Sequence, residues 1–104
     1  MFSIGGVRWN IRYVSRTNPL LRRSDGVYTL GVTDLNSRSV FIAKGLGRQL
    51  NRKVLIHEVC HAAMFSYGIR ISLEEEEFVC DFVASHGEEI ISVVDSIFGA
   101  IISA

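Results

Sequence analysis

The segment His57-Glu58-Val59-Cys60-His61 constrains this chain more than any other feature, because it lies in a stretch that is typical of an α-helix. Residues 48–67 contain neither proline nor glycine, and Gly68 is a natural helix end. Residues four positions apart on a helix lie about 40° apart on one face, so both imidazoles can reach one metal ion. Glu58 is then placed to contact a metal-bound water. The HExxH pattern therefore predicts a zinc-dependent hydrolase with Glu58 as general base.

A chance occurrence of HExxH is the alternative interpretation, because the pattern fixes few positions. Two observations favour the metal site. Both flanks of the motif are apolar, over residues 54–56 and 62–65, as a buried active-site helix requires. The chain has three histidines, and two of them lie in the motif.

The composition favours a single cytoplasmic domain over residues 1–104. The chain is 48% hydrophobic, enough for one modest core. The N-terminal residues lack the basic and apolar regions of a signal peptide. Residues 90–104 are apolar but too few to span a bilayer, and Asp95 interrupts them. We therefore expect no membrane contact, and we expect Cys60 and Cys80 to be reduced core residues rather than a disulfide.

Charge is distributed unevenly although the formal net charge is zero. Residues 1–53 hold ten of the eleven basic residues, and residues 54–104 hold nine of the eleven acidic ones. The favoured interpretation is that the two halves pack with complementary surfaces. A basic face for an acidic partner or a nucleic acid is the less favoured alternative, because the basic residues are scattered over several predicted elements.

The expected fold class is α+β, with a small N-terminal antiparallel sheet of about three strands followed by three helices. Residues 7–14 alternate apolar and polar side chains, which predicts a strand. Residues 27–33 and 38–44 predict two further strands, joined by a hairpin turn at 34–37. A polar connection over residues 15–26 separates the first two strands.

The first predicted helix, residues 48–67, carries HExxH. The second begins at Ser72, where Glu75 completes a capping box, and ends at Gly87. The third runs from residue 88 to the end of the chain. Its wide apolar stripe favours core packing, and the alternative is a homodimer contact through this C-terminal helix.

A catalytic zinc site usually has three protein ligands and a water, so a third ligand is expected downstream of HExxH. The candidates lie on the second predicted helix and are Glu74, Glu75, Glu76, Glu77, Cys80, Asp81 and His86. Glu77 and Asp81 are one turn apart on one face, so Glu77 can bind the metal while Asp81 orients a histidine. His86 lies about 180° round the helix from Glu77 and is interpreted as a helix-end cation. Residues 74–76 are interpreted as capping and solvated acids.

The spacing Glu77-x-x-x-Asp81 after HExxH resembles the gluzincin pattern. Residues 77–84 are similar to the ExxANxFA segment of ImmA/IrrE-type metallopeptidases, with departures at Cys80, Asp81 and Val83. More closely, HEVCHA…YG…EEEFVCDFVASHGEEI resembles the minimal gluzincin-like proteins of bacteriophages and mobile elements. The resemblance covers about the second half of the chain.

The resemblance implies zinc-assisted hydrolysis of a protein or peptide substrate, with a repressor-type regulator as one candidate. Zn²⁺ held by His57, His61 and Glu77 would activate a water and polarise the scissile carbonyl, and Glu58 would transfer the proton to the leaving amine. The strand before the active helix of gluzincins pairs with an extended substrate, which implies the same for Ser39–Ala43 as an edge strand.

Candidate donors to the developing oxyanion are Tyr13, Tyr28 and Arg38, although packing or surface roles are commoner for such residues. One alternative function is a non-catalytic zinc-binding regulatory module of a phage or mobile element, because a domain this small lacks the second lobe of larger gluzincins. Another is a SprT-like, DNA-associated protease, which the basic N-terminal half favours. The third histidine of that family should follow sooner than His86 does.

Overall fold

A computed structural model describes residues 1–103 of the chain, which form a four-stranded mixed sheet followed by two helices. The elements are β1 (Phe2–Ile4), β2 (Val7–Val14), a short 3₁₀ helix (Pro19–Leu21), β3 (Gly31–Asp34), β4 (Ser39–Ala43), α1 (Arg48–Ser66) and α2 (Leu73–Ser103). The strand order is β1-β2-β4-β3. The β1–β2 and β3–β4 pairs are antiparallel, and β2 and β4 are parallel.

The architecture is α+β, but the expected purely antiparallel, three-stranded sheet is wrong. β1 is an additional strand, paired with β2 through a two-residue turn at Gly5 and Gly6, whose φ angles are 57° and 76°. Such turns need positive φ at both positions, which glycine supplies without steric cost. The parallel pair arises because the chain leaves the sheet after β2, re-enters at the far edge as β3, and returns as β4 beside β2.

The expected third helix is also wrong, because α2 continues through Gly87 as one helix of 31 residues. A glycine inside a helix costs only about 1 kcal/mol relative to alanine, which neighbouring contacts can offset. One such contact involves the residue after Gly87: Arg52 of α1 donates a hydrogen bond of 2.8 Å to Glu88. The last position of the predicted helix, Ala104, lies outside the described residues.

The expected capping box is present at the beginning of α2. The backbone amide of Ser72 donates to Oε1 of Glu75, and the backbone amide of Glu75 donates to Oγ of Ser72, each over 3.1 Å. These bonds to Ser72 lower the pKa of the Glu75 carboxyl. The motif fixes where α2 begins and hence which acidic residues of its first turns face α1.

β4 is buried along its whole length because both faces of the sheet are covered. On one face, Val14, Leu21, Phe41 and Ala43 form a core cluster under the 3₁₀ helix. On the other face α1 packs against the sheet, where the Trp9 indole donates a hydrogen bond of 2.9 Å to Ser66.

The expectation that Ser39–Ala43 is an edge strand is wrong. β4 lies between β2 and β3, so neither of its sides is open to an added strand. The β3–β4 hairpin places β3 outermost, and no described strand lies beyond it. The edge next to the HExxH helix is therefore β3.

The C-terminal half of α2 exposes apolar side chains, including Ile91, Phe98 and Ile101, each with 60% or more of its surface accessible. The homodimer contact expected here stays a prediction. Across residues 1–103, no helix combines the length and apolar character needed to cross a bilayer. In the same part of the chain Cys60 and Cys80 are free thiols, and Cys80 is fully buried.

Candidate metal centre

The two histidines of HExxH direct their Nε2 atoms at one point, and α2 supplies a carboxylate there. The Nε2 atoms of His57 and His61 are 3.1 Å apart. Glu77 places Oε2 3.3 Å from Nε2 of His57 and Oε1 2.8 Å from Nε2 of His61. In the described chain these three side chains form the group that could hold a metal ion.

The separation of the two histidine nitrogens is close to the edge of a coordination tetrahedron. Metal–ligand bonds of about 2.0–2.1 Å in tetrahedral geometry separate neighbouring ligand atoms by about 3.3 Å. The Nε2 atoms of His57 and His61, 3.1 Å apart, lie close to this value, and each faces a different oxygen of the Glu77 carboxylate.

The outer ring nitrogens of both histidines are held by carboxylates of α2. Nδ1 of His57 lies 2.9 Å from Oδ1 of Asp81, and Nδ1 of His61 lies 2.6 Å from Oε2 of Glu76. A carboxylate at Nδ1 favours the tautomer with its proton on Nδ1, which leaves the electron pair of Nε2 available. Two imidazole electron pairs and the Glu77 carboxylate then converge without a donor hydrogen, which is the chemistry of a cation site.

The acidic residues at the beginning of α2 make different contacts. Glu75 caps the helix, Glu76 contacts His61, and Glu77 contacts both histidines. The interpretation of Glu76 as a solvated acid is therefore wrong. The sequence does contain a signal for this contact. Glu76 directly precedes Glu77, so the two side chains lie about 100° apart on a helix that packs against α1.

The other candidate ligands lie away from the group. Cys80 is buried against Cys60, and burial, followed by a hydrogen bond with Cys60, raises the pKa of its thiol. Cys80 is not among the side chains whose ligand atoms converge in the described part of the chain. His86 packs against Phe82, with ring centroids 5.2 Å apart, rather than joining the other two histidines.

Glu58 is buried beside the three candidate ligand side chains, with Oε2 3.9 Å from Nε2 of His57. Its Oε1 accepts a hydrogen bond of 2.8 Å from the Thr33 hydroxyl on β3. Burial raises the pKa of the Glu58 carboxyl, and the Thr33 hydrogen bond partly opposes this shift. A buried carboxylate anchored through one oxygen can present the other to a reacting group.

Gly31 is a second residue of β3 that shapes the site, and sequence patterns did not single it out. A Cβ added there would lie 2.8 Å from Cγ1 of Val54 and 2.9 Å from Cγ of Glu58. Glycine therefore lets the edge strand approach α1 closely enough for Thr33, on the same face of the strand, to reach Glu58.

The group opens into a cleft of about 820 Å³ between β3, α1 and the first turns of α2. Apolar side chains of Leu30, Leu50, Val54 and Leu73 form part of its lining. In the described part of the chain the candidate oxyanion donors do not line it. Tyr13 donates instead to Asn51, over 3.1 Å, and the Arg38 guanidinium lies over the Phe65 ring.

Comparison with known proteins found no match: no family model, no curated protein and no solved structure matches this chain. The resemblance to gluzincin-type metallopeptidases stays a prediction. The geometry of the group formed by His57, His61 and Glu77 is therefore the basis for assigning a function.

Proposed function

We propose that this protein is a zinc-dependent metallopeptidase in which His57, His61 and Glu77 bind the metal and Glu58 is the general base. The observation that carries the proposal is the convergence of three electron-pair donors beside a buried carboxylate. Two imidazoles and one carboxylate form a ligand set typical of catalytic zinc, and they leave one tetrahedral position for water or substrate.

The chain's own residues would act as follows. A bound zinc ion would acidify a water and polarise the scissile carbonyl. Glu58 would accept the proton through Oε2, which lies beside the ligand atoms, and return it to the leaving amine. Thr33 would hold Oε1 so that the carboxylate keeps one orientation through both proton transfers.

The substrate is proposed to be an extended peptide that pairs with β3. The carbonyl of Leu30 accepts a hydrogen bond of 2.9 Å from the amide of Ala43, so Leu30 and Val32 direct their backbone groups towards β4. Gly31 and Thr33 then direct their backbone groups to the outer edge of the sheet, next to the proposed metal ligands. The Gly31 carbonyl accepts from the Thr29 hydroxyl, so the amide of Gly31 and the backbone of Thr33 are the groups offered to a peptide.

Peptide cleavage by the zinc-loaded protein tests the proposal. We expect the protein to cleave members of a fluorescence-quenched peptide library, or a repressor-type protein from a host and phage panel. A chelator should abolish cleavage and added Zn²⁺ should restore it, because the metal supplies the activated water. Cleavage that persists in chelator would contradict the proposal and indicate a contaminating protease.

The alternative is a non-catalytic zinc-binding regulatory module. It is favoured by the positions of Tyr13 and Arg38, which are engaged elsewhere instead of facing the cleft. A SprT-like ligand set of three histidines has no comparable support, since His86 packs against Phe82. A module would bind zinc but leave every peptide intact.

Replacing Gly31 by alanine should lower peptidase activity about 100-fold, because a misplacement of about 1 Å in a catalytic group costs this much. The new methyl would push against Val54 and Glu58, whereas no ligand atom lies among its nearest contacts. Activity and zinc stoichiometry should be measured together. Gly99→Ala is the matched control, because a Cβ at that position meets nothing within 4 Å. Unchanged activity in Gly31→Ala would show that Glu58 does not need its present position.

A further inference from the structure

Glu76 contacts the histidine that Asp81 does not reach. We propose that Glu76 is a positioning residue: its carboxylate fixes the ring and the tautomer of His61 so that Nε2 faces the metal, and it contributes more to zinc affinity than Asp81 does. The inference rests on the proposed zinc site.

The two histidine–carboxylate contacts differ in length and in exposure. Glu76 Oε2 lies 2.6 Å from His61 Nδ1, and the Glu76 side chain is 25% exposed. Asp81 Oδ1 lies 2.9 Å from His57 Nδ1, and the Asp81 side chain is 70% exposed. Water and salt screen an exposed charge more strongly than a partly buried one, so the contact of Glu76 should contribute more.

Consecutive residues of α2 hold opposite sides of the His61 ring. Glu77 contacts Nε2 and Glu76 contacts Nδ1, so the ring is enclosed between two carboxylates. With the Nδ1 proton engaged by Glu76, the metal-facing nitrogen keeps its electron pair. The capping box of Ser72 and Glu75 fixes the start of the helix from which both carboxylates extend.

Zinc affinities of matched variants test this role. Glu76→Ala should weaken Zn²⁺ binding about 10–100-fold, the usual effect of losing an outer partner of a metal ligand. Glu76→Gln should recover part of the loss, since its amide oxygen can still accept from Nδ1. Asp81→Ala should lose less than Glu76→Ala. Glu74→Gln is the control, an exposed acid of the same helix turn with the same change in charge.

The measurement is a competition titration of Zn²⁺ against a chelating indicator, with thermal unfolding of each metal-free variant. Weaker binding by Glu76→Ala at an unchanged unfolding temperature supports the positioning role. Parent-like affinity in Glu76→Ala overturns it, as does an affinity loss that Glu76→Gln does not reduce at all. A parent that binds zinc but cleaves no peptide would contradict the peptidase proposal alone, because the affinities still decide the role of Glu76.

Discussion

The Glu58→Gln variant is expected to bind zinc like the parent and to lose peptidase activity by about 10²–10⁴-fold, the usual contribution of a general base. The amide cannot accept the proton of the attacking water. Its oxygen can still accept the hydrogen bond from Thr33, so the side chain should stay in place. Zinc stoichiometry and the rate of peptide cleavage should be measured on the same preparation.

Glu89→Gln provides a matched control, because Glu89 is an exposed acid on α2 and does not line the cleft. It should keep both zinc and activity. If Glu58→Gln cleaves peptides at the parent rate, Glu58 is not the base. If neither the parent nor the variant cleaves any peptide while both bind zinc, the regulatory-module alternative is the better account.

The His61→Ala variant should no longer bind zinc stoichiometrically. Two ligands would remain, and Glu77 would lose the nearer of its two histidine contacts. The loss of affinity should exceed the roughly 100-fold upper limit for losing an outer hydrogen-bonding partner, since a direct ligand is removed. Metal analysis after dialysis against a buffer without chelator measures how much zinc per chain the variant retains.

His86→Ala is the control for a general effect of removing a histidine. His86 packs against Phe82 rather than joining His57, His61 and Glu77, so its variant should keep one zinc per chain. Circular dichroism should show that both variants remain folded. Equal zinc content in His61→Ala and the parent would remove His61 from the ligand set.

Features that depend on local helix geometry could be predicted from the sequence. The i, i+4 spacing placed His57 and His61 on one face of a helix, and the capping box placed the beginning of α2. The one-turn spacing of Glu77 and Asp81 predicted that these two acids lie on one face of the helix, and both contact a histidine in the structure. Their roles in metal binding and catalysis stay predictions.

Features that depend on tertiary contacts could not be predicted. The order of strands decides which strand is at the edge, and only the assembled sheet shows that β3 lies outside β4. Gly87 is a helix-end signal in isolation, yet the contact of Arg52 with Glu88 ties the following turn to α1. Glu76 looked like one more solvated acid because its partner, His61, is on another helix.

The most direct measurement is a crystal structure of the zinc-loaded protein with anomalous diffraction at the zinc absorption edge. The proposal predicts one peak per chain, about 2.0–2.1 Å from the Nε2 atoms of His57 and His61 and about 2.0–2.2 Å from a carboxylate oxygen of Glu77. A zinc ion bound to Cys80, or a Glu77 side chain turned into solvent with zinc elsewhere, would contradict the proposed site.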